Sequence, residues 1–180
     1  MKIFRYNDFV KESSEVSKAV IITGEGFQDA ELFDPKSSLK EAGYSVIVAG
    51  VETGEVKAYN SNKTVDIEIL VSDLNVNDYD ILILPGGEAP DKIRKDNSVI
   101  SFVKDFYKTG KRIGAICHGP QILVTSNIVD GVEMTCYPDM KEELIEAGAN
   151  YVDKELVVDG QFITSRNPGD LPAFCKEITK

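Results

Sequence analysis

Four short apolar runs constrain this chain more than any other feature: "KAVIIT" at 18–23, "YSVIVAG" at 44–50, "DILILPGG" at 80–87 and "KRIGAIC" at 111–117. They are nearly continuous in Val, Ile and Leu, as expected of strands covered on both faces. Such strands need helices above and below, and the intervening segments supply them. Residues 91–109 place Val99, Phe102, Val103 and Phe106 on one helical face. "MKEELIEAG" does the same with Met140, Leu144 and Ala147. Ala42-Gly43, Thr109-Gly110 and Ala147-Gly148 each precede a β-like run, where glycine supplies the left-handed residue that ends a helix. The stretch 54–69 reads as a β-hairpin-like insertion, and 150–165 as a late hairpin turning at Asp159-Gly160. This order predicts a doubly wound, mostly parallel α/β sandwich. Residues 18–180 are expected to form one domain, preceded by an appendage over 1–17.

Bulk properties narrow the partners. A net charge of −10 over 180 residues disfavours nucleic acid and anionic membrane surfaces. No apolar run approaches the ~20 residues of a membrane span, and the N-terminus lacks the apolar core of a secretory signal. Three cysteines without framework spacing fit a reducing compartment, so a cytoplasmic location is expected.

The chemistry gathers in "AICHGP", where the chain's only histidine, His118, directly follows Cys117. Cys117 ends a predicted strand, the place where α/β sheets hold their ligands. Adjacent residues ordinarily point apart, but Gly119 and Pro120 supply the parts of a sharp strand-to-helix turn. The turn resembles a nucleophile elbow, although G-x-S-x-G is absent. A thiol at a helix N-terminus is expected to have a lowered pKa. "LPGGEAPD" ends another strand, and Gly86 and Gly87 can converge backbone N–H groups on an oxyanion. The loop "GEGFQDAEL" brings Glu25, Asp29 and Glu31 ahead of a helix, and a buried carboxyl among them could stay protonated and donate to the thiol. Cys117 and His118 are too close in sequence for good tetrahedral metal ligation, so no metal and no cofactor is expected.

Together, "GFQDAEL", "ILPGGEAPDKIR", "AICHGPQIL" and the tail beginning "CYPDMKEELIEAGANYVD" resemble the PfpI intracellular protease group of the ThiJ/PfpI superfamily, across about residues 18–180. The resemblance implies a flavodoxin-like α/β sandwich with an elbow cysteine. It also implies Cys117 as nucleophile, His118 as base, and Glu31 as the acid bonded to the cysteine. Gly87 and His118 N–H groups would form the oxyanion hole, with Gly86, Tyr137 and Gln28 at the substrate pocket. Asp91 falls where the group has a glutamate reaching the histidine of an adjacent subunit, which implies a homo-oligomer with interfacial sites. Gln28 stands where the pattern carries an acid, Asp91 is one methylene shorter than glutamate, and residues 1–17 have no counterpart.

The leading expectation is a cysteine peptidase-like hydrolase acting on peptides. The alternative is a glyoxalase III or deglycase acting on methylglyoxal or its adducts, and a second is an oxidative stress sensor or holdase in which Cys117 oxidises. A glutaminase amidotransferase needs a further downstream histidine, and the sequence has none.

Overall fold

The computed structural model describes residues 16–180; residues 1–15 of the expected appendage lie outside the described residues. The chain runs through β1 (Lys18–Ile22), α1 (Asp29–Glu41) and β2 (Ser45–Gly50) to a hairpin, β3 (Gly54–Lys57) and β4 (Thr64–Ile67), and then β5 (Ile69–Leu70). Next come β6 (Ile81–Leu84), α2 (Ala89–Ile93), α3 (Asn97–Lys108), β7 (Arg112–Ile116) and α4 (Pro120–Thr125). The chain closes with β8 (Glu133–Met134), α5 (Lys141–Glu146), β9 (Asn150–Tyr151), β10 (Val157–Asp159), β11 (Phe162–Ser165) and α6 (Leu171–Ile178).

Seven strands form the main sheet in the order β10-β11-β7-β6-β1-β2-β5. All neighbours are parallel except β10 and β11. Side chains alternate across a strand, so each apolar run feeds two cores. Val20, Ile22, Leu82, Leu84, Ile113 and Ala115 share one core with Val99, Phe102, Val103 and Phe106 of α3. Ala19, Ile21, Ile81, Ile83 and Ile116 share the other with Leu32 and Leu39 of α1 and Phe174 and Ile178 of α6. Each large side chain removed from water in this way contributes roughly 1.5–3 kcal/mol. The predicted mostly parallel α/β sandwich is therefore the observed one. Gly43, Gly110 and Gly148 have φ of 92°, 73° and 90°, the conformation expected at these helix ends.

Three details differ from the sequence reading. The helical stretch 91–109 is two helices, because Asp96 accepts from the Ser98 N–H at 2.8 Å and starts α3 afresh. The insertion over 54–69 is a hairpin plus a separate edge strand, since β5 leaves β4 to pair with β2. Only 157–165 forms the late hairpin; β9 pairs instead with β8 in a small parallel sheet.

The order β7-β6-β1 places the carboxyl ends of three central strands side by side. β1 leads to β2 on one flank while its other neighbour is β6, so the connections diverge there and leave a crevice. Among the described residues no helix is long and apolar enough to cross a membrane.

Candidate functional site

The loops after β1, β6 and β7 meet at this crevice. Cys117 follows β7 directly with φ of 61°, a left-handed conformation that a non-glycine residue rarely adopts. Its N–H donates to the Ser165 carbonyl at 3.0 Å, and its own carbonyl accepts from the Tyr137 N–H at 2.9 Å. The turn is thereby fixed from two sides before α4 starts at Pro120. Gly119 has an ordinary helical φ of −50°. Its lack of a side chain matters for another reason: a Cβ there would lie 2.1 Å from the Leu84 carbonyl oxygen. The strained residue of the turn is the cysteine itself.

Of the three acids near the first loop, only Glu31 reaches the thiol. Asp29 and Glu31 lie within the first turn of α1, not ahead of it. Glu25 accepts from the Lys57 N–H at 2.8 Å, and Asp29 pairs with Asn60. Gln28 caps α1: its Oε1 accepts from the Glu31 N–H at 2.8 Å. An acid at this position of the first turn often folds back onto the cap. Here the glycine loop takes both groups: Gln28 N–H donates to the Gly86 carbonyl at 3.1 Å, and Gly86 N–H donates to Glu31 Oε2 at 2.9 Å. Glu31 is completely buried, and its side chain interacts with the Cys117 thiol. A Cβ on Gly86 would sit 2.5 Å from Glu31 Oε2 and 2.7 Å from Cys117 Cβ, so the close approach requires glycine. Gly86 thus supports Glu31 and Cys117 from beneath and does not line the pocket as expected.

The cavity above the thiol has a volume of about 670 Å³. Gln28, Glu31, Gly87, Asp91, Cys117, His118 and Tyr137, all singled out in the sequence, line it. Tyr59, Glu88, Lys92, Gln121 and Pro168 complete the lining without having been anticipated. Tyr59 comes from the β3–β4 hairpin, which is woven into the site through Phe27. That buried residue bridges to both Ala58 and Gly87, and its carbonyl accepts from the Tyr59 N–H at 3.1 Å.

The electrostatics correct one expectation. Burial, followed by the nearby Glu31 charge and the hydrogen bond to Glu31, pushes the Cys117 thiol up instead of down. Interaction with the backbone N–H groups of Gly87 and His118 pulls in the opposite direction. Burial likewise raises the Glu31 carboxyl to about 7, against the N–H of Gly86 and its hydrogen bond with Cys117. The two groups form a coupled pair whose first proton leaves near neutrality.

His118 Nδ1 lies 3.3 Å from Cys117 Sγ, and its ring centroid is 5.0 Å from that of Tyr137. Its Nε2 faces Asp139 Oδ1 at 2.8 Å. Asp139 escaped the sequence reading because it is an exposed acid among several in that stretch; its one signal was its place in "CYPD", next to Tyr137. Asp91, expected to serve a histidine across an interface, is held in its own chain by Arg94 (2.9 Å) and Lys95 (3.0 Å). Hydrogen bonds from Lys95 and then Arg94 keep its carboxyl below the usual carboxylate range. Among the described residues, no group of three or more His, Cys, Asp or Glu side chains is gathered to hold a metal ion.

Comparison with known proteins agrees with this architecture. A deglycase of Pyrococcus abyssi is 37% identical over 163 residues, spanning 91% of this chain and 98% of its own. The putative cysteine protease YraA of Bacillus subtilis is 40% identical over 159 residues, spanning 88% and 94%. Other relatives also carry the name deglycase. A two-domain protein of Anabaena variabilis, with DJ-1/ThiJ/PfpI-like and ferritin-like domains, superposes with a TM-score of 0.88 at 34% identity. That match covers 90% of this chain, which spans about half (47%) of the longer protein. The DJ-1/PfpI family profile matches residues 17–180, and the chain belongs to that family.

Proposed function

We propose that this protein is a cysteine-dependent enzyme acting on 2-oxoaldehydes such as methylglyoxal and on their adducts, a glyoxalase- or deglycase-type activity. The observation that carries this reading is the floor of the cavity. There the buried Cys117 thiol lies 3.3 Å from His118 Nδ1 and against the fully buried Glu31 carboxyl, which titrates near neutrality. Several relatives named as deglycases support it over peptide hydrolysis.

The chemistry follows from the arrangement. When Glu31 is neutral, the charge that lifts the thiol is gone and an O–H faces the sulfur. The Cys117 proton passes to His118 Nδ1, and Sγ bonds to the aldehyde carbon. The carbonyl electron pair moves onto oxygen, between the Gly87 and His118 N–H groups, and the imidazolium then returns its proton to that oxygen. Glu31, which titrates near neutrality, then loses its own proton to water and takes the hydrogen of the former aldehyde carbon as a proton; the electron pair left behind flows to the neighbouring carbonyl. Glu31 returns that proton to the second carbon while the hydroxyl proton of the first carbon moves to the second oxygen, which gives a lactoyl thioester, and Glu31 regains its own proton from water. Water cleaves it, releasing lactate and the thiol, so methylglyoxal plus water becomes lactate plus a proton.

The test is lactate formation from methylglyoxal, and from methylglyoxal-modified N-acetylcysteine, by the protein and by Cys117→Ser. Cys117-dependent lactate is expected. No lactate together with Cys117-dependent peptide cleavage would return the peptidase reading, and thiol oxidation without turnover would return the sensor reading.

A further inference from the structure

The expected acid partner of His118 was to come from a neighbouring subunit, yet a carboxylate already sits on its ring within this chain. We propose that Asp139 is the positioning residue of His118, completing a Cys117-His118-Asp139 relay in a single chain. Its kinetic consequence rests on the reading of Cys117 as nucleophile; its structural consequence does not.

Three observations carry it. First, the ring is addressed at both ends: Nδ1 faces Sγ at 3.3 Å and Nε2 faces Asp139 Oδ1 at 2.8 Å. For Nδ1 to accept the thiol proton it must be bare, so the ring hydrogen of neutral His118 has to sit on Nε2. A carboxylate is acceptor-only and selects that tautomer. Second, the turn that presents Asp139 is anchored to the cysteine. Tyr137 N–H donates to the Cys117 carbonyl, Pro138 fixes the next φ, and Met140 N–H donates to the Tyr137 carbonyl at 3.0 Å with its side chain buried. Asp139 lies between these two tethers, so its register to His118 follows the backbone of Cys117. Third, Asp139 makes no other side-chain hydrogen bond or ion pair among the described residues.

The His118 ring packs against Tyr137 on one side, with centroids 5.0 Å apart and planes tilted by 30°. The Asp139 contact opposes rotation of the ring about its own bond. When the Cys117 proton reaches Nδ1, the imidazolium gains a carboxylate partner at Nε2. The proton later returns through Nδ1, and Asp139 itself gains and loses none.

The presence of one histidine makes the test direct, because the imidazole ¹⁵N signals of the protein belong to His118 alone. In the wild type, the neutral ring is expected to hold its hydrogen on Nε2. Asp139→Ala should shift the population toward the Nδ1–H form, and Asp139→Glu should restore the Nε2–H form. In the lactate assay, kcat of Asp139→Ala should fall on the order of tenfold with KM unchanged. That is far less than the ~10⁴-fold loss for a buried triad carboxylate, because Asp139 is 65% exposed. Asp139→Glu should recover most of kcat.

Unchanged ¹⁵N signals in Asp139→Ala would overturn the proposal, as would a tautomer shift caused by Asp91→Asn and not by Asp139→Ala. Failure of Asp139→Glu to restore the Nε2–H form would also overturn it. If the wild type forms no lactate, the proposed function fails, while the ¹⁵N result still decides the positioning role.

Discussion

Glu31→Gln should stabilise the protein increasingly as pH rises while impairing its chemistry. The carboxyl is completely buried, and burial raises its pKa to about 7 from 4.5 in the unfolded chain. Below 4.5 both states hold the proton. Between 4.5 and about 7 the unfolded chain releases it and the folded protein does not, so stability falls as pH rises through this window and the loss is complete above it. At about 1.4 kcal/mol per pH unit, the interval amounts to about 3 kcal/mol. Glutamine does not titrate, and every other group is shared by the two proteins. The stability of Glu31→Gln relative to wild type should therefore rise by about 3 kcal/mol between pH 4.5 and 8. In a domain of this size that is roughly 6–12 °C in relative Tm. Urea unfolding of both proteins at half-unit pH steps reads it directly. The window stops at pH 8 because the Cys117 thiol ionises at 9.0 in the unfolded chain and higher in the folded one. A difference flat to within about 0.5 kcal/mol across the window would refute the claim that Glu31 is held protonated. Turnover should move the other way, since an amide cannot shuttle the proton; stability and activity would then be opposed at one atom.

Two further substitutions probe how the site is built. Gly119→Ala would press a methyl group onto the Leu84 carbonyl and should cost roughly 3 kcal/mol, read as a lower urea midpoint at unchanged m-value. A cost below half of that would mean β6 and the turn are less tightly apposed than described. Gln28→Ala removes the cap on the Glu31 N–H and should cost about 1–2 kcal/mol. It should also lower Cys117-dependent lactate formation; unchanged turnover would show that the cap does not place Glu31.

The sheet was readable because its four central strands are buried on both faces and so appear as unbroken apolar runs. The break at 94–96 was not, because Ile93 and Val99 both face the core and an apolar pattern cannot register a change of axis. Asp96, a good cap residue, was the local sign. β8 and β9 are two residues each and owe their pairing to distant segments, which no local pattern encodes. At the site, Cys117, His118 and the glycine loop were legible because each lies in a contiguous motif at a strand end. The cap was hidden because glutamine is not among the preferred capping residues. Asp139 was hidden because it lies 21 residues from His118 and looks like any solvated acid. The direction of the thiol shift was misjudged for a related reason: a helix terminus is visible in a sequence, whereas the depth of burial beside Glu31 is a property of the assembled fold.

The weave through Phe27 has a consequence for redesign. Because one buried residue bridges to both the hairpin and the glycine loop, the wall carrying Tyr59 is continuous with the floor under the thiol. The positions that could retune which molecules enter are thus separable from those that could not be touched. Lengthening the hairpin at its tip, around Ser61 and Asn62, would reshape the entrance at little entropic cost. Altering Ala58, whose backbone joins Phe27, would pull on Gly87 and disturb the loop beside the thiol. A family that kept this seam fixed while varying the tip could diversify its substrates without reinventing its chemistry.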